Sequence, residues 1–295
     1  MWKKFYKKLQ SSFGVISVIT IIVVWSAISY FGIAHFIGQS SDTTGSGYTD
    51  TSNTSTSAQD EHCNVYGINL HGDVVTYNSN DAYNDQNKLI YDQTSADTVN
   101  WIVKDAQDKV YIKAILVEID SSGGSPIAGE EMMTAFKQSQ KPVVAMIRGR
   151  GLSAAYLAAT GAETIFASKF SDVGSIGVTM SYLQNTDKNK KDGLTYIDLS
   201  SGAYKDSGNP DRPISADEKQ IFMRDVNIMY NNFVSLVAQN RNLDIAKVKA
   251  LADGSTVLGE AALKDGLIDK IGLLPDVENY LTDKIGVPAD ICWQN

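Results

Sequence analysis

A serine hydroxyl, two glycine stretches and the chain's lysines are the groups here that could together perform covalent chemistry. Ser153 ends the stretch Gly149-Arg150-Gly151-Leu152-Ser153, between the apolar run Val143 to Ile147 and the helical stretch Ala154 to Thr160. A hydroxyl at a helix N-terminus meets unpaired backbone N–H groups and the positive end of the dipole, which favour developing negative charge. A second glycine stretch, Ser121-Ser122-Gly123-Gly124, follows the apolar run Ile112 to Ile119. Its residues tolerate the φ > 0 conformations that let a backbone N–H point outward. Acyl transfer requires this combination of a hydroxyl on one strand-to-helix turn and N–H groups on another. The competing reading of Ser153 is a plain helix cap, since serine is a common N-cap.

A serine hydroxyl also needs a neighbour to take its proton. The only histidines are His35, His62 and His71, in an apolar N-terminal segment, at the end of a polar linker and in the first strand. A Ser/His/Asp triad therefore has one candidate, His71, and its position reads as that of a strand-end residue. A desolvated lysine is the alternative, because burial and nearby helix N-termini depress an ammonium's pKa. Composition leaves open which lysine that is.

The elements that must hold these groups form a βαβ unit over residues 112 to 156. Ser125 is placed to cap its helix, Pro126 suits the first helical position, and Met132, Met133 and Phe136 supply an apolar side before Lys141-Pro142 ends it. The two strands should be parallel neighbours, with both glycine turns at their carboxyl ends, where α/β sheets place their chemistry. Upstream, Val65 to Tyr77 reads as a strand or hairpin, and Ser95 caps a helix with Val99, Ile102, Val103 and Ala106 on one side. Downstream, Thr164 to Ala167 and Tyr196 to Leu199 read as strands, and Asp187 to Lys191 as a solvated loop. Ser215 and Glu218 form a capping box for a long helix with Ile221, Phe222, Val226, Met229, Phe233, Leu236 and Val237 along its buried side. Shorter helical stretches follow at 245–251, 259–264 and 275–285.

The chain's ends set its organisation. Residues 1–12 carry Lys3, Lys4, Lys7 and Lys8, and residues 13–37 contain no charged side chain over a length that spans a bilayer. We read this as a transmembrane signal anchor with its N-terminus in the cytoplasm, since no further Lys or Arg occurs before Lys88. The rival is a cleaved signal peptide, for which Ala27-Ile28-Ser29 resembles a cleavage site. Residues 38–62 form a polar linker poor in apolar side chains, and residues 63–295 form the folded domain. A net charge of −8 argues against a nucleic-acid partner. No zinc-type His/Cys cluster or cofactor motif is present, and Cys63 and Cys292 could pair in an oxidising compartment.

The ordered set SSGG, GRGLSAAYLAATGAETIFAS, VGSIGV, SGAYKDSGNPDRPISADEKQ and ALKDGLIDKIG resembles the signal peptide peptidase A family across roughly residues 65 to 275. These are membrane-anchored Ser/Lys peptidases of the Clp protease and crotonase superfamily, and this chain resembles their short, single-domain form. The resemblance implies an α/β fold built as a repeated ββα/βαβ spiral with a parallel sheet. It also implies Ser153 as nucleophile, Lys205 as general base, and an oxyanion hole from Gly123, Gly124 and the N–H of Ala154, with Ser175 close to the dyad. Peptide substrates such as signal peptide remnants, a homo-oligomeric ring drawing on neighbouring protomers, and no cofactor or metal are implied as well. Two departures stand out: SSGG where the family has SPGG, and SAAYL where it has SGGYY. The remaining alternatives are a non-catalytic membrane scaffold of this fold and an acyl-CoA enzyme of the crotonase type.

Overall fold

Apolar runs bounded by small polar residues pair in parallel and define the domain, as seen in a computed structural model that describes residues 63–78 and 92–294. Contacts divide the chain between Thr56 and Ser57, and all described residues fall in the second unit. The basic segment 1–12, the apolar span 13–37, the linker 38–62, His35 and His62 lie outside the described residues. Among those described, no helix is long and apolar enough to cross a membrane.

In chain order the sheet is built from β1 (Val65–Val75), β2 (Gln93–Ser95), β3 (Ala114–Gly124), β4 (Val143–Leu152), β5 (Thr164–Ala167), β6 (Asp172–Gly174), β7 (Thr256–Leu258), β8 (Lys270–Ile271) and β9 (Ile291–Trp293). The spatial order is β2-β1-β3-β4-β5-β8. β1 also pairs β9, β4 also pairs β6, and among the described strands only the β6–β7 contact is antiparallel. The helices are α1 (Ala96–Asp108), α2 (Pro126–Gln138), α3 (Ala154–Ala159), α4 (Thr186–Lys191), α5 (Ala216–Arg241), α6 (Ile245–Leu251), α7 (Gly259–Asp265) and α8 (Leu274–Ile285).

Because side chains alternate across a strand, the continuous apolar run of β3 serves two cores. Ile115, Val117 and Ile119 join Ile68, Leu70 and Ile147 in the main core with Val103, Met132 and Tyr156. Ala114 and Leu116 face the other way, with Val144, Met146 and Phe166, onto Val277 and Leu281 of α8. Each fully buried Ile or Leu contributes about 1.5–3 kcal/mol relative to exposure, and both faces of β3 and β4 thereby become rigid supports. The caps form as their sequences require. Ser95 accepts from Thr98 N–H, Ser125 from Ala128 N–H, and Ser215 and Glu218 close a reciprocal box.

Four expectations are corrected. The SSGG and GRGL stretches are not turns but the last residues of β3 and β4, because β1 and β6 extend the pairing to Gly124 and Leu152. Tyr196 to Leu199 forms no strand; Leu199 is 93% exposed, and β propensity without a neighbouring edge does not make a strand. Asp187 to Lys191 belongs to the exposed helix α4. Only the C-terminal half of α5 enters the core, through Phe233, Val234, Val237 and Ala238, while Ile221, Phe222, Val226 and Met229 stay outside it.

Candidate active site

The end of β4 places Ser153. Its backbone sits at φ 51°, ψ −124°, a region that costs a non-glycine residue about 1–3 kcal/mol and persists only where the surroundings hold it. They do so on both sides. Ser153 N–H donates to Gly174 O at 2.8 Å, and every residue of α3 is buried. The side chain makes no cap hydrogen bond, and among the described residues its hydroxyl has no partner. The plain-cap reading therefore fails, because a cap is defined by the bond its side chain accepts.

The end of β3 lies directly beside it. A Cβ on Gly123, at φ 101°, would stand 2.7 Å from Ser153 Cβ and 3.0 Å from Ala154 N, so only glycine allows the two strand ends to approach this closely. The Gly123 N–H is already engaged, donating to Ser121 Oγ at 3.0 Å, and Ser121 Oγ in turn donates to Gly72 O at 2.5 Å. In this structure Gly123 thus holds its N–H against Ser121 and, lacking a side chain, leaves space for Ser153. Ser125 N–H donates to Val74 O across the β1 edge, so the amide of Gly124, one residue earlier, points to the opposite edge. That edge is open, because the last β3–β4 pair is Ser121 with Gly151. Ala154 begins α3, and a first-turn N–H has no intrahelical acceptor.

Ser175 follows directly on Gly174, whose carbonyl pins Ser153. It too has a positive φ, 49°, and its hydroxyl donates to Gly254 O at 3.1 Å. His71 is held elsewhere: its Nε2 lies 3.2 Å from Glu118 Oε1, an oxygen that also accepts from Arg148 Nη1 at 3.0 Å.

Lys205 occupies an exposed turn between α4 and α5, and its N–H donates to Gly202 O at 3.1 Å. Within the chain, no hydrogen bond among the described residues joins its amine to Ser153. The turn is nevertheless held. Arg212 donates through Nε to Asp206 Oδ2 at 3.0 Å and through Nη2 to Asp206 O at 2.7 Å, while Nη1 and Nη2 grip Glu218 at 2.9 and 2.5 Å. Glu218 is only 2% exposed, and the Arg212 guanidinium, followed by the Ser215 N–H, holds its carboxyl well below the usual range. Asn209 and then Arg212 lower Asp206 likewise. Sequence reasoning found Glu218 as a cap but missed Arg212; the signal was an Arg six residues before a buried capping-box Glu.

Cys63 and Cys292 form a disulfide, with Cα atoms 5.7 Å apart and a separation of 229 residues.

A strained serine at a strand-to-helix turn, with glycine and helix-terminal amides around it, describes a hydrolase of the serine type. The profile of peptidase family S49 matches residues 135–288, which include both Ser153 and Lys205. The chain is 35% identical over 206 residues to a Methanocaldococcus jannaschii protein whose name marks it as a protease, covering 68% of this chain and 66% of that one. It is 28% identical over 191 residues to the chloroplastic serine protease SPPA of Arabidopsis thaliana, covering 64% of this chain and 28% of that one. The matches thus span only part of these relatives' length. Among solved structures, it is similar to a lysine-to-alanine mutant of the 1510-N membrane-bound stomatin-specific protease in complex with a substrate peptide. The TM-score is 0.49 at 15% identity, over 79% of this chain and 92% of that one. The chain belongs to peptidase family S49.

Proposed function

We propose that this chain is an endopeptidase that works through an acyl-enzyme on Ser153 with Lys205 as general base. The Lys205 amine removes the Ser153 hydroxyl proton as Oγ attacks the scissile carbonyl, and the N–H groups of Gly124 and Ala154 receive the oxyanion. The resulting ammonium protonates the leaving amine, and the amine, again neutral, activates the water that releases the acyl group. Ser175 stands near this centre as a support for the lysine or the water. The observation that carries the reading is the strained backbone of Ser153 combined with a hydroxyl that caps nothing.

Because Lys205 lies on an exposed turn, the reading places the dyad between protomers of a homo-oligomer. Exposed apolar side chains on the same segment support this, notably Leu183 at 86% and Leu199 at 93%, together with the uncovered half of α5. The spiral of the Clp and crotonase type is our reading of the two-part pairing of β4. Anchorage by residues 13–37, with the domain on the outer side of a cytoplasmic membrane, is supported by the charge-free span behind four lysines and by a disulfide suited to an oxidising compartment. Remnant signal peptides or other extended apolar segments are the substrates that fit such a location.

Treatment with an acylating serine probe followed by mass spectrometry tests the core of the reading. The modification is expected on Ser153, and Lys205→Met is expected to abolish both labelling and peptide hydrolysis while the chain still folds and assembles. Full activity in Lys205→Met overturns the lysine's role. An unlabelled but assembled chain points instead to a scaffold.

A further inference from the structure

Between the ends of β3 and β4, one side chain crosses from the strand that carries the nucleophile to the strand that carries the oxyanion amide. The β3–β4 register shifts between Ile119 and Ser121, and Asp120 occupies the irregularity. Asp120 Oδ1 accepts the Arg150 N–H at 3.2 Å and stands 3.5 Å from Arg150 Nε, while Arg150 Nη1 donates to Ser122 Oγ at 3.0 Å. A Cβ on Gly149 would fall 2.8 and 2.9 Å from the two Asp120 carboxylate oxygens, so the glycine makes room for this carboxylate. Arg150 is three residues before Ser153, and Ser122 is two before Gly124. On the other side of the same strand, Ser121 ties β3 to Gly72 of β1. Arg150 and Asp120 side chains are 53% and 40% exposed. Exposed pairs of this kind contribute little to global stability, so the effect of these bonds falls on geometry.

We propose that Arg150 is a positioning residue that fixes the distance between the nucleophile and the Gly124 amide by latching β4 to β3 through Asp120 and Ser122. The latch explains the departure at Ser122. A proline there would restrict the backbone by its ring; Ser122 lacks that restriction and supplies a hydroxyl that Arg150 holds. Loss of the latch leaves the chain folded but loosens one oxyanion donor relative to Ser153, and small misplacements of this kind cost rate steeply.

The proposal rests on Ser153 as nucleophile, and its test separates the two. Rates of Ser153 acylation by the probe, with kcat and KM for a peptide substrate, would be measured on the full chain and on Arg150→Met, Ser122→Pro, Ser122→Ala and the doubles of Arg150→Met with each Ser122 variant. Arg150→Met is expected to slow acylation about tenfold, with KM and thermal midpoint unchanged. Ser122→Pro is expected to restore most of that loss in the double variant, a rescue that a merely structural role would not produce. If Ser122→Pro does not fold, Ser122→Ala decides: its effect and that of Arg150→Met must be non-additive. Undiminished acylation in Arg150→Met, absence of rescue in a folded double variant, or additivity in the alanine cycle each overturns the latch alone. Absence of Ser153 labelling in the unsubstituted chain overturns the nucleophile and the latch together.

Discussion

The two halves of the proposed dyad are held by different physics. Ser153 is held by backbone: a strand end paired on two sides, a buried helix behind it and a glycine that leaves it no spare volume. Lys205 rides on an exposed turn held by side-chain charges, with Arg212 joining Asp206 to the foot of α5. A backbone-held group has its geometry before any partner arrives, whereas the charge-held one is poised on a segment whose apolar side chains lack cover. Under the proposed mechanism, the contrast means that the domain alone sets the geometry of Ser153, whereas Lys205 would be set by assembly.

The largest expected effect breaks or confirms that division. Ser153→Ala and Lys205→Met chains, each inactive, should regain about a quarter of normal hydrolysis when assembled in equal mixture, because a shared site then draws one intact group from each chain. No recovery in verified mixed assemblies would place both groups in one chain. Next in size, Gly123→Ala should slow Ser153 acylation about a hundredfold, because its Cβ would fall against Ser153. Gly202→Ala, on the lysine side, has nothing within 4 Å of the new Cβ and should leave the rate unchanged. Comparable losses in both variants would erase the contrast. The smallest effect is acid sensitivity of the Lys205 turn. The folded carboxyls of Asp206 and Glu218 titrate below their ordinary range, so their contribution is full above that range, about pH 4, and is lost as pH falls through the lowered folded values. Amide exchange should show residues 201–214 losing protection on acidification before β3 and β4 do, and Arg212→Ala should remove the difference.

What could be read from the sequence was local. The caps at Ser95, Ser125 and Ser215, the apolar sides of α1 and α2, and the place of Ser153 between a strand and a helix follow from rules spanning a few residues, and they stand where expected. What could not be read depends on which strands lie side by side. The glycine stretches look like turns until β1 and β6 are known to pair with them. The engaged Gly123 amide requires Ser121 to have its hydroxyl between two strands. The seven apolar positions on α5 predict one buried face, yet the domain covers only the C-terminal part, and no periodicity within a helix says how far its neighbours extend. Tyr196 to Leu199 failed for the same reason in reverse, having strand-forming residues but no edge beside them.

The covalent link at Cys63 has a mechanical consequence. β1 and β9 run parallel from the same end of the sheet, and around them Asn64 Nδ2 donates to Pro288 O while Asp290 N–H returns a bond to Asn64 Oδ1. A pull arriving through residue 62 would otherwise unzip β1 from this corner, one hydrogen bond at a time. With the sulfurs joined, the load divides at Cys63 between β1 and the last strand, so that the corner resists as one anchored seam rather than as a loose thread.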